Sequence, residues 1–394
     1  LDELNIPVPN YGTAYSIEEA IKIANKIKYP VLVRPSYVLG GRGMEIVYDE
    51  NGLKDFVGKA ALVSGNHPIL IDAFLENAFE FDVDAICDGN KVKIAGIMQH
   101  IEEAGIHSGD SSCVFPAYNL TVEQKNMMEN YTERLAKKFN TIGLINIQYA
   151  IQNDIIYVIE VNPRASRTIP FISKVKNIPY AKHAAQIAVG KKIDDLNIIE
   201  NETNLIAVKK PVFPFNKFPN QNIFLSPEMR STGEVIGLDR YLGSAYAKAE
   251  IGAGNKLPQN GTIFISVNNA DKNKIIKIAR DFNEMNFEII ATSGTANILK
   301  QNGIFCNSIF KVGEGRPNVV DAIKNNEINL IINTPLGSQS RYDEYQIGKT
   351  SIKHSIPVIT TIAAATVTAT ATAPAIATAT TPATVSTTAT VTQS

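Results

Sequence analysis

Tryptophan is absent from this sequence of 394 residues, and only three cysteines occur, Cys87, Cys113 and Cys306. They are scattered and form no C-x-x-C pair, which disfavours a disulfide framework or structural zinc site and favours a reducing compartment. The sequence also lacks a run of about 18 apolar residues, so it predicts no membrane span. Its net charge of −1 gives no electrostatic basis for binding nucleic acid. We therefore expect a cytoplasmic protein with neither membrane nor nucleic-acid partners.

The remaining composition is typical of a globular protein with more than one domain. Hydrophobic residues make up 44% of the sequence and charged residues 20%. The length exceeds a typical single core and predicts two or three domains. The sequence opens at Leu1 without methionine, so we expect a fragment of a longer protein. From residue 363 onward it is mainly Thr, Ala, Val and Pro without charge, which predicts a disordered tail or an anomalous terminus.

Hydrophobic periodicity predicts two architectures in succession, one α+β and one α/β. In the first part, alternating strands joined by hairpin turns indicate antiparallel sheets with interspersed helices. Helices are predicted here in the segments 16–27, 52–63, 121–139, 178–190 and 239–251. From Gly261 onward strands alternate with helices, which indicates a parallel, Rossmann-like sheet in a separate domain.

The segment Tyr157–Thr168 carries the clearest chemical signal. Glu160 and Asn162 lie two residues apart on a predicted strand, so both side chains project from one face. Their oxygens are hard ligands suited to Mg²⁺, which also binds substrate phosphates. Arg164 and Arg167 follow the strand, where planar guanidinium groups could hold phosphoryl oxygens. The segment predicts a nucleotide-phosphate site, although Glu–Asn pairs at strand ends are often simply solvated.

Gln148 lies on the preceding predicted strand, which forms a hairpin around Asn153-Asp154. An odd-length turn would place Gln148 on the face of Glu160 and Asn162. A two-residue turn without a bulge would place it on the opposite face. An ordinary outward-facing glutamine is the simpler interpretation of Gln148 taken alone, so the sequence leaves these alternatives open.

Three further segments carry possible anion-binding chemistry. Gly40-Gly-Arg-Gly43 could let the backbone approach phosphate, but it precedes a strand rather than a helix, which disfavours a dinucleotide fingerprint or P-loop. Arg34, in an otherwise apolar strand, needs an anion if it is buried; a ligand phosphate could provide one, or its head reaches solvent. The polar loop 99–112, with His100 and His107, could bind phosphate, bind a cation or transfer protons. A solvated loop without a ligand is the alternative.

In the C-terminal part, Ala291-Thr-Ser-Gly-Thr-Ala296 joins a predicted strand to a predicted helix. Hydroxyls and free N–H groups at a helix N-terminus suit an anion such as phosphate. An ordinary threonine N-cap is the alternative. Lys272 and Lys311 are candidate partners for such an anion.

Six separated segments together resemble one known family. They are Val33–Arg42, Asp84–Gly89, Gly105–Asp110, Glu160–Arg164, Pro214–Phe218 and Pro227–Gly233. In order and content they are similar to the C-terminal half of the carbamoyl phosphate synthetase large chain, its second ATP-grasp unit followed by a methylglyoxal-synthase-like regulatory domain. The resemblance implies four parts: an ATP-grasp unit at 1–200, a segment completing it at 201–257, a regulatory domain at 258–362 and a tail at 363–394.

In this family the second ATP-grasp unit phosphorylates carbamate with MgATP, and the resemblance implies roles for matching residues. Neutralisation of carbamate and the transferring phosphoryl group is implied for Arg164 and Arg167. Binding of Mg²⁺ or Mn²⁺ is implied for Gln148, Glu160 and Asn162. Contacts with ATP are implied for Arg34, Ala73, Leu75, Glu80, Gly105, Ile106, His107, Ser108, Gln148 and Glu160. Among these, Arg34 would contact phosphate, the Leu75 backbone the adenine edge, and Glu80 the ribose.

The same resemblance implies regulation and partners. A nucleotide effector would bind at Lys272, Thr292, Thr295, Lys311 and Asn333. K⁺, a glutaminase small subunit reached through the complete large chain, and an oligomeric full-length form are also implied. Three positions depart from the family pattern: Ala73, Glu103 and Pro335 replace an expected histidine, glutamine and hydroxyl.

We therefore expect ATP-dependent phosphorylation of carbamate to carbamoyl phosphate, within glutamine-dependent synthesis serving pyrimidine and arginine biosynthesis. One rival hypothesis is another ATP-grasp ligase acting on a different acid through an acyl phosphate. The other is a non-catalytic fragment that senses nucleotides.

Overall fold

A computed structural model describes residues 1–36, 40–64, 67–102, 104–200, 204–214, 225–334 and 340–379. Within these ranges the protein forms three β-sheets with helices packed on them. The expectations for Glu103, Pro335, residues 215–218 and the segment after residue 379 lie outside the described residues.

The first sheet is small and antiparallel. Its strands are β1 (Tyr11–Ala14), β2 (Val31–Pro35), β3 (Glu45–Val47) and β4 (Ile69–Ala73), in the order β1-β4-β2-β3. Two helices, α1 (Ile17–Ile27) and α2 (Glu50–Ser64), pack on one face. The Ser16 hydroxyl accepts a hydrogen bond from the Glu19 N–H at 3.1 Å, which confirms the predicted start of α1.

The second sheet has seven antiparallel strands. They are β5 (Phe79–Asp88), β6 (Val92–His100), β7 (Cys113–Phe115), β8 (Ile142–Gln152), β9 (Ile155–Asn162), β10 (Ile206–Val212) and β11 (Gly233–Asp239). Their order is β11-β10-β7-β6-β5-β8-β9. The accompanying helices are α3 (Val122–Lys138), α4 (Thr168–Lys176), α5 (Tyr180–Ala188) and α6 (Leu242–Gly252).

The two faces of the second sheet differ because strand side chains alternate. Ile145, Ile147 and Tyr149 of β8 are fully buried in the core that includes α3. Asn146 and Gln148 lie on the other face. That face is apolar at one end, where α4 and α5 cover it, and polar at the other. Strand β8 therefore carries Asn146 and Gln148 on the polar part of this face.

The third sheet is parallel, as the alternation of strands and helices predicted. Its strands are β12 (Thr262–Val267), β13 (Glu288–Thr292), β14 (Asn307–Ile309), β15 (Leu330–Thr334) and β16 (Val358–Ile359), in the order β14-β13-β12-β15-β16. Its helices are α7 (Lys272–Glu284), α8 (Ser293–Gln301), α9 (Val319–Lys324) and α10 (Ser340–Lys353).

Helix α11 (Ile362–Ala379) shows that the expectation of a disordered tail was wrong up to residue 379. Its Val367 and Ala371 are buried in the core that α6 and α7 also line. The Thr368 hydroxyl donates to the Ala364 carbonyl at 2.7 Å, so its polar group is satisfied inside an apolar contact. Among the helices of the described ranges, none combines the length and hydropathy of a membrane span.

Small residues let α6 and α11 approach each other closely. A Cβ added to Gly243 of α6 would lie 2.7 Å from the Thr370 carbonyl oxygen of α11. The composition predicted disorder because alanine and threonine bury little area each, but short side chains also allow backbones to pack tightly. The helix is thus stabilised by a partner that composition does not reveal.

We predict that Gly243→Ala lowers the free energy of unfolding by about 1–3 kcal/mol, because the new methyl group meets backbone that cannot move aside cheaply. Gly252→Ala, in the same helix, is the matched control. Its Cβ would meet Val235 at 3.4 Å, an ordinary contact. Urea denaturation followed by circular dichroism measures both variants, and equal midpoints would contradict the packing described.

Candidate active site

The β8–β9 hairpin decides which residues face each other at the candidate site. Its turn has two residues, Asn153 and Asp154, both with positive φ, at 51° and 63°. Such a turn alone would set Gln148 out of register with Glu160. The register shifts next to Gln148, however, because Ile159 is an extra residue on β9. Gln148 therefore pairs with Glu160, a combination of turn and bulge that the sequence left undecided.

Gln148, Glu160 and Asn162 consequently share one face of the hairpin. The Gln148 amide nitrogen donates to the Ser108 hydroxyl at 2.7 Å, which leaves its carbonyl oxygen available. The side-chain oxygens of Glu160 and Asn162 form no hydrogen bond or ion pair with any residue that the structure describes. One carboxylate and two amide oxygens placed in this way fit a hard divalent cation such as Mg²⁺.

The same face carries a continuous line of polar side chains across neighbouring strands. Register pairing aligns Lys209 with Cys113 and Cys113 with His100. It also aligns Asp82 with Gln148. Asp82 and Lys209 are not among the site residues predicted from the sequence. The signal for Asp82 was its position between Glu80 and Asp84, at every second residue of a strand whose intervening residues are apolar.

His100 is held as a cation at the centre of this line. Its Nε2 lies 2.8 Å from Asp82 Oδ2 and its Nδ1 3.2 Å from Glu80 Oε2. Burial opposes the charge, but the Cys113 sulfur and the two carboxylates raise the pKa of His100 well above its ordinary value. The imidazolium thus bridges the two carboxylates and offsets one of their two negative charges.

Asp82, His100 and Cys113 approach closely enough to hold a metal ion. Their charges argue against it, because both ring nitrogens of His100 face carboxylates. The fully buried Lys209 also interacts with Cys113 and Asp82. Its ammonium donates to the Ser108 carbonyl at 3.0 Å, so Lys209 and Gln148 both anchor Ser108. We interpret this cluster as the support of the loop rather than a cation site.

The loop of residues 105–110 is fixed from several sides. The Gly105 N–H donates to Glu80 at 3.3 Å, and Gly105 adopts a φ of +98°, where a Cβ would also strike Phe74. His107 accepts a hydrogen bond from the Gly109 N–H at 3.0 Å, and burial lowers the pKa of His107, so it is neutral near pH 7. Hydrogen bonds thus hold the loop that carries Ile106, His107 and Ser108, and the contacts of these residues with ATP stay predictions.

An apolar patch adjoins the polar line and could accommodate a nucleotide base. Leu75, Ala78 and Ala150 form a small buried cluster, and Tyr157 and Ile159 pack against it. Ala73 ends β4 just before this patch, and its N–H donates to the Asn10 carbonyl at 2.7 Å. A flat aromatic base beside a row of oxygen ligands is the arrangement a nucleotide site requires.

Arg34 has a protein partner that the sequence did not reveal. Its Nε lies 2.6 Å from Oδ2 of Asp72, which is buried on the adjacent strand β4. This ion pair meets the need of the cation for an anion. A phosphate contact by the terminal nitrogens of Arg34 remains a prediction.

The glycine loop contacts the segment that precedes β11 instead of standing free. The Gly40 carbonyl accepts a hydrogen bond from the Met229 N–H at 3.0 Å. Gly41 has a φ of +66°, and a Cβ there would lie 1.9 Å from the Pro227 carbonyl oxygen. Only glycine permits this close approach, which connects the first sheet to the second across the site.

Arg164 and Arg167 lie between β9 and α4 and are exposed. The Arg164 N–H donates to the Asn162 carbonyl at 2.8 Å, which keeps the arginine next to the oxygen ligands. The Arg167 guanidinium donates to the Ser231 hydroxyl at 3.1 Å. Helix α4, which is not among the helices predicted from the sequence, begins directly after Arg167. Both arginines thus lie in the segment directly after the strand that carries Glu160 and Asn162, and their contact with a phosphoryl group stays a prediction.

The predicted effector residues gather at the carboxyl ends of the parallel strands. Thr292 ends β13, Asn333 lies near the end of β15, and Lys311 follows β14. The Thr295 hydroxyl accepts a hydrogen bond from the Val267 N–H at 3.3 Å. The Lys272 ammonium lies 3.3 Å from where a Cβ on Gly294 would be, at the start of α8. This edge is where α/β sheets bind ligands.

A solved structure shares the fold of about two thirds of this protein. Biotin carboxylase of Campylobacter jejuni, determined as a beta-gamma-ATP complex, is similar with a TM-score of 0.53 at 17% identity, over 64% of this protein and 63% of that one. At this identity the similarity shows the fold alone. The class of fold is ATP-grasp, followed by a parallel-sheet α/β region, as expected.

Sequence comparisons give the family. A model for the carbamoyl-phosphate synthase L chain ATP-binding domain matches residues 1–196, and one for the MGS-like domain matches residues 274–360. The carbamoyl phosphate synthase large chain of Archaeoglobus fulgidus is 53% identical, over 93% of the present sequence and 34% of that protein. The C-terminal section of the large chain from Aquifex aeolicus is 47% identical, over 92% and 71% respectively.

The protein therefore belongs to the carbamoyl phosphate synthase large chain family, which confirms the resemblance found in its motifs. It spans about a third of the length of the full-length relatives that it matches.

Asp84 gives the site a testable electrostatic signature. Burial, then the neighbouring Asp82 carboxylate, raise the pKa of Asp84 to about 7 from an ordinary value of 3.8. A raised folded-state pKa means that stability present at low pH is lost as pH rises towards 7. Asp84→Asn cannot ionise and does not lose this stability. We predict that the unfolding free energy of Asp84→Asn minus that of the unsubstituted protein increases by about 1–3 kcal/mol between pH 5 and pH 8. Parallel pH profiles in urea denaturation would contradict this.

Proposed function

We propose that this protein is the unit that transfers a phosphoryl group from ATP to carbamate, giving carbamoyl phosphate and ADP. The observation that supports the proposal most strongly is the bulge-determined pairing of Gln148 with Glu160, which sets oxygen ligands beside two arginines. Phosphoryl transfer needs positioning and charge neutralisation rather than a protein nucleophile, and these groups supply both.

The nucleotide is proposed to lie with its base on the Leu75 patch and its phosphates towards Glu160 and the arginines. Glu80, already bonded to Gly105, would contact the ribose, and Arg34 the phosphates. Gln148, Glu160 and Asn162 would hold Mg²⁺ or Mn²⁺, which when bound would neutralise phosphate charge. We also propose that K⁺ is required.

Arg164 and Arg167 are proposed to bind carbamate and the transferring phosphoryl group. Their exposed guanidinium groups can each form paired hydrogen bonds with planar or tetrahedral oxyanions. Because burial lowers the pKa of His107, this side chain would be neutral, and the two arginines would supply the positive charge.

The complete reaction requires more than this protein, which spans about a third of its full-length relatives. We propose that glutamine-derived nitrogen arrives from a glutaminase subunit through the rest of the large chain. The product would then enter pyrimidine and arginine biosynthesis in the cytoplasm, and the full-length protein would be an oligomer.

Glu160→Gln should abolish ATP formation from MgADP and carbamoyl phosphate, with a loss on the order of 100-fold or more, because it removes the anionic member of the proposed metal set. Glu288→Gln, an exposed strand residue of the third sheet, is the control and should retain full activity. A coupled hexokinase assay measures the ATP. Full activity of Glu160→Gln would refute the metal assignment, and nucleotide binding without any turnover of the unsubstituted protein would favour a nucleotide sensor.

For the third sheet we propose a nucleotide effector, bound by Lys272, Thr292, Thr295, Lys311 and Asn333. Lys272→Met should weaken binding of a uridine or purine monophosphate about 10-fold, because one charge-assisted phosphate contact is lost. Lys277→Met, exposed on the same helix, should leave binding unchanged. Isothermal titration calorimetry measures both, and equal affinities would contradict the assignment of Lys272.

A further inference from the structure

Asp84 is a buried acid that the proposed reaction does not use directly. It lies on the site face of β5, fully buried, and accepts hydrogen bonds from three side chains. Its Oδ1 accepts from Asn146 Nδ2 at 3.0 Å and from the Ser166 hydroxyl at 2.7 Å. Its Oδ2 accepts from the Thr168 hydroxyl at 2.5 Å. Two of the three donors lie outside the sheet, in the segment that carries the arginines.

Ser166 and Thr168 flank Arg167 on both sides. Their hydroxyls are 2.8 Å apart, and the Ser166 hydroxyl also accepts from the Ile169 N–H at 3.1 Å, in the first turn of α4. Arg167 makes no such cap bond itself. The backbone on either side of Arg167 is thus tied to one carboxylate, while its own side chain extends towards Ser231.

Stability does not explain a charged group at position 84. A buried carboxylate is costly unless fully paired, and Asp84 has a like charge, Asp82, nearby. Burial and the Asp82 carboxylate raise the pKa of Asp84, although the hydrogen bonds from Thr168, Ser166 and Asn146 oppose this. Groups kept at a cost to folding are commonly found where function demands a fixed geometry.

We propose that Asp84 is the positioning residue of the Arg164–Arg167 segment, holding it through Ser166 and Thr168 so that both arginines face the transferring phosphoryl group. This inference rests on the proposed function of that site. A displacement of about 1 Å in a positioned group can lower the reaction rate roughly 100-fold. Loss of the hydrogen bonds to Asp84 would therefore produce a measurable fall in rate.

The test compares Asp84→Ala and Asp84→Asn in ATP formation from MgADP and carbamoyl phosphate by the full 394-residue protein. Asp84→Ala should lower kcat about 100-fold and change KM for ADP less than about 3-fold, because the nucleotide contacts lie elsewhere. The kcat of Asp84→Asn should be at least about 10-fold higher than that of Asp84→Ala, because the asparagine amide can still form hydrogen bonds with both hydroxyls. Adding Ser166→Ala to Asp84→Ala should cost little more, because the two residues act as a unit.

Asp88→Ala is the matched control for lost stability. Asp88 is equally part of β5, is buried and accepts hydrogen bonds from three backbone N–H groups, of Asn90, Lys91 and Ile193. It should lower the melting temperature and leave kcat unchanged. A kcat of Asp84→Ala that falls no further than that of Asp88→Ala would overturn the proposal, as would equal losses for Asp84→Ala and Asp84→Asn.

Hydrogen exchange separates this proposal from the proposed function. Peptides covering residues 163–169 should exchange faster in Asp84→Ala than in the unsubstituted protein, whereas the Asp88→Ala peptides should not. If the unsubstituted protein forms no ATP, the proposed function fails, and exchange still decides whether Asp84 holds the segment. Unchanged exchange in Asp84→Ala would refute the positioning role.

Discussion

The extra residue in β9 at Ile159 is the constraint on which the site depends. Side chains on a strand alternate with a period of two, so a one-residue change of register moves a side chain to the opposite face. The two-residue turn and the bulge have opposite effects on Gln148, and together they return it to the face of Glu160. The pairings of Gln148 with Glu160 and of Asn146 with Asn162 both follow from that single extra residue.

The polar side chains beside the hairpin are held by one another rather than by a ligand. His100 bridges Glu80 and Asp82, and Lys209 donates to the Ser108 carbonyl. The side-chain oxygens of Glu160 and Asn162 have no hydrogen-bond partner among the described residues, so they are available to a divalent cation. Arg164 and Arg167 add positive charge in the segment directly after β9.

The sequence predicted most of the fold but only part of the site. Capped helices such as α3, predicted at 121–139, were predicted within a few residues. The strands β10 and β11 were missed because β10 also pairs with β7, which is distant in sequence. Helix α11 was missed because its stability comes from close contact with Gly243. In the site, motif residues were found, but Asp82, Asp84 and Lys209 become meaningful only when register aligns them.

The most direct test of the central claim is an anomalous difference map from crystals grown with Mn²⁺ and ADP. The account predicts a peak within about 2.0–2.6 Å of side-chain oxygens of both Gln148 and Glu160. A peak instead among Asp82, His100 and Cys113, with none at the hairpin, would contradict the claim that the bulge assembles the metal site.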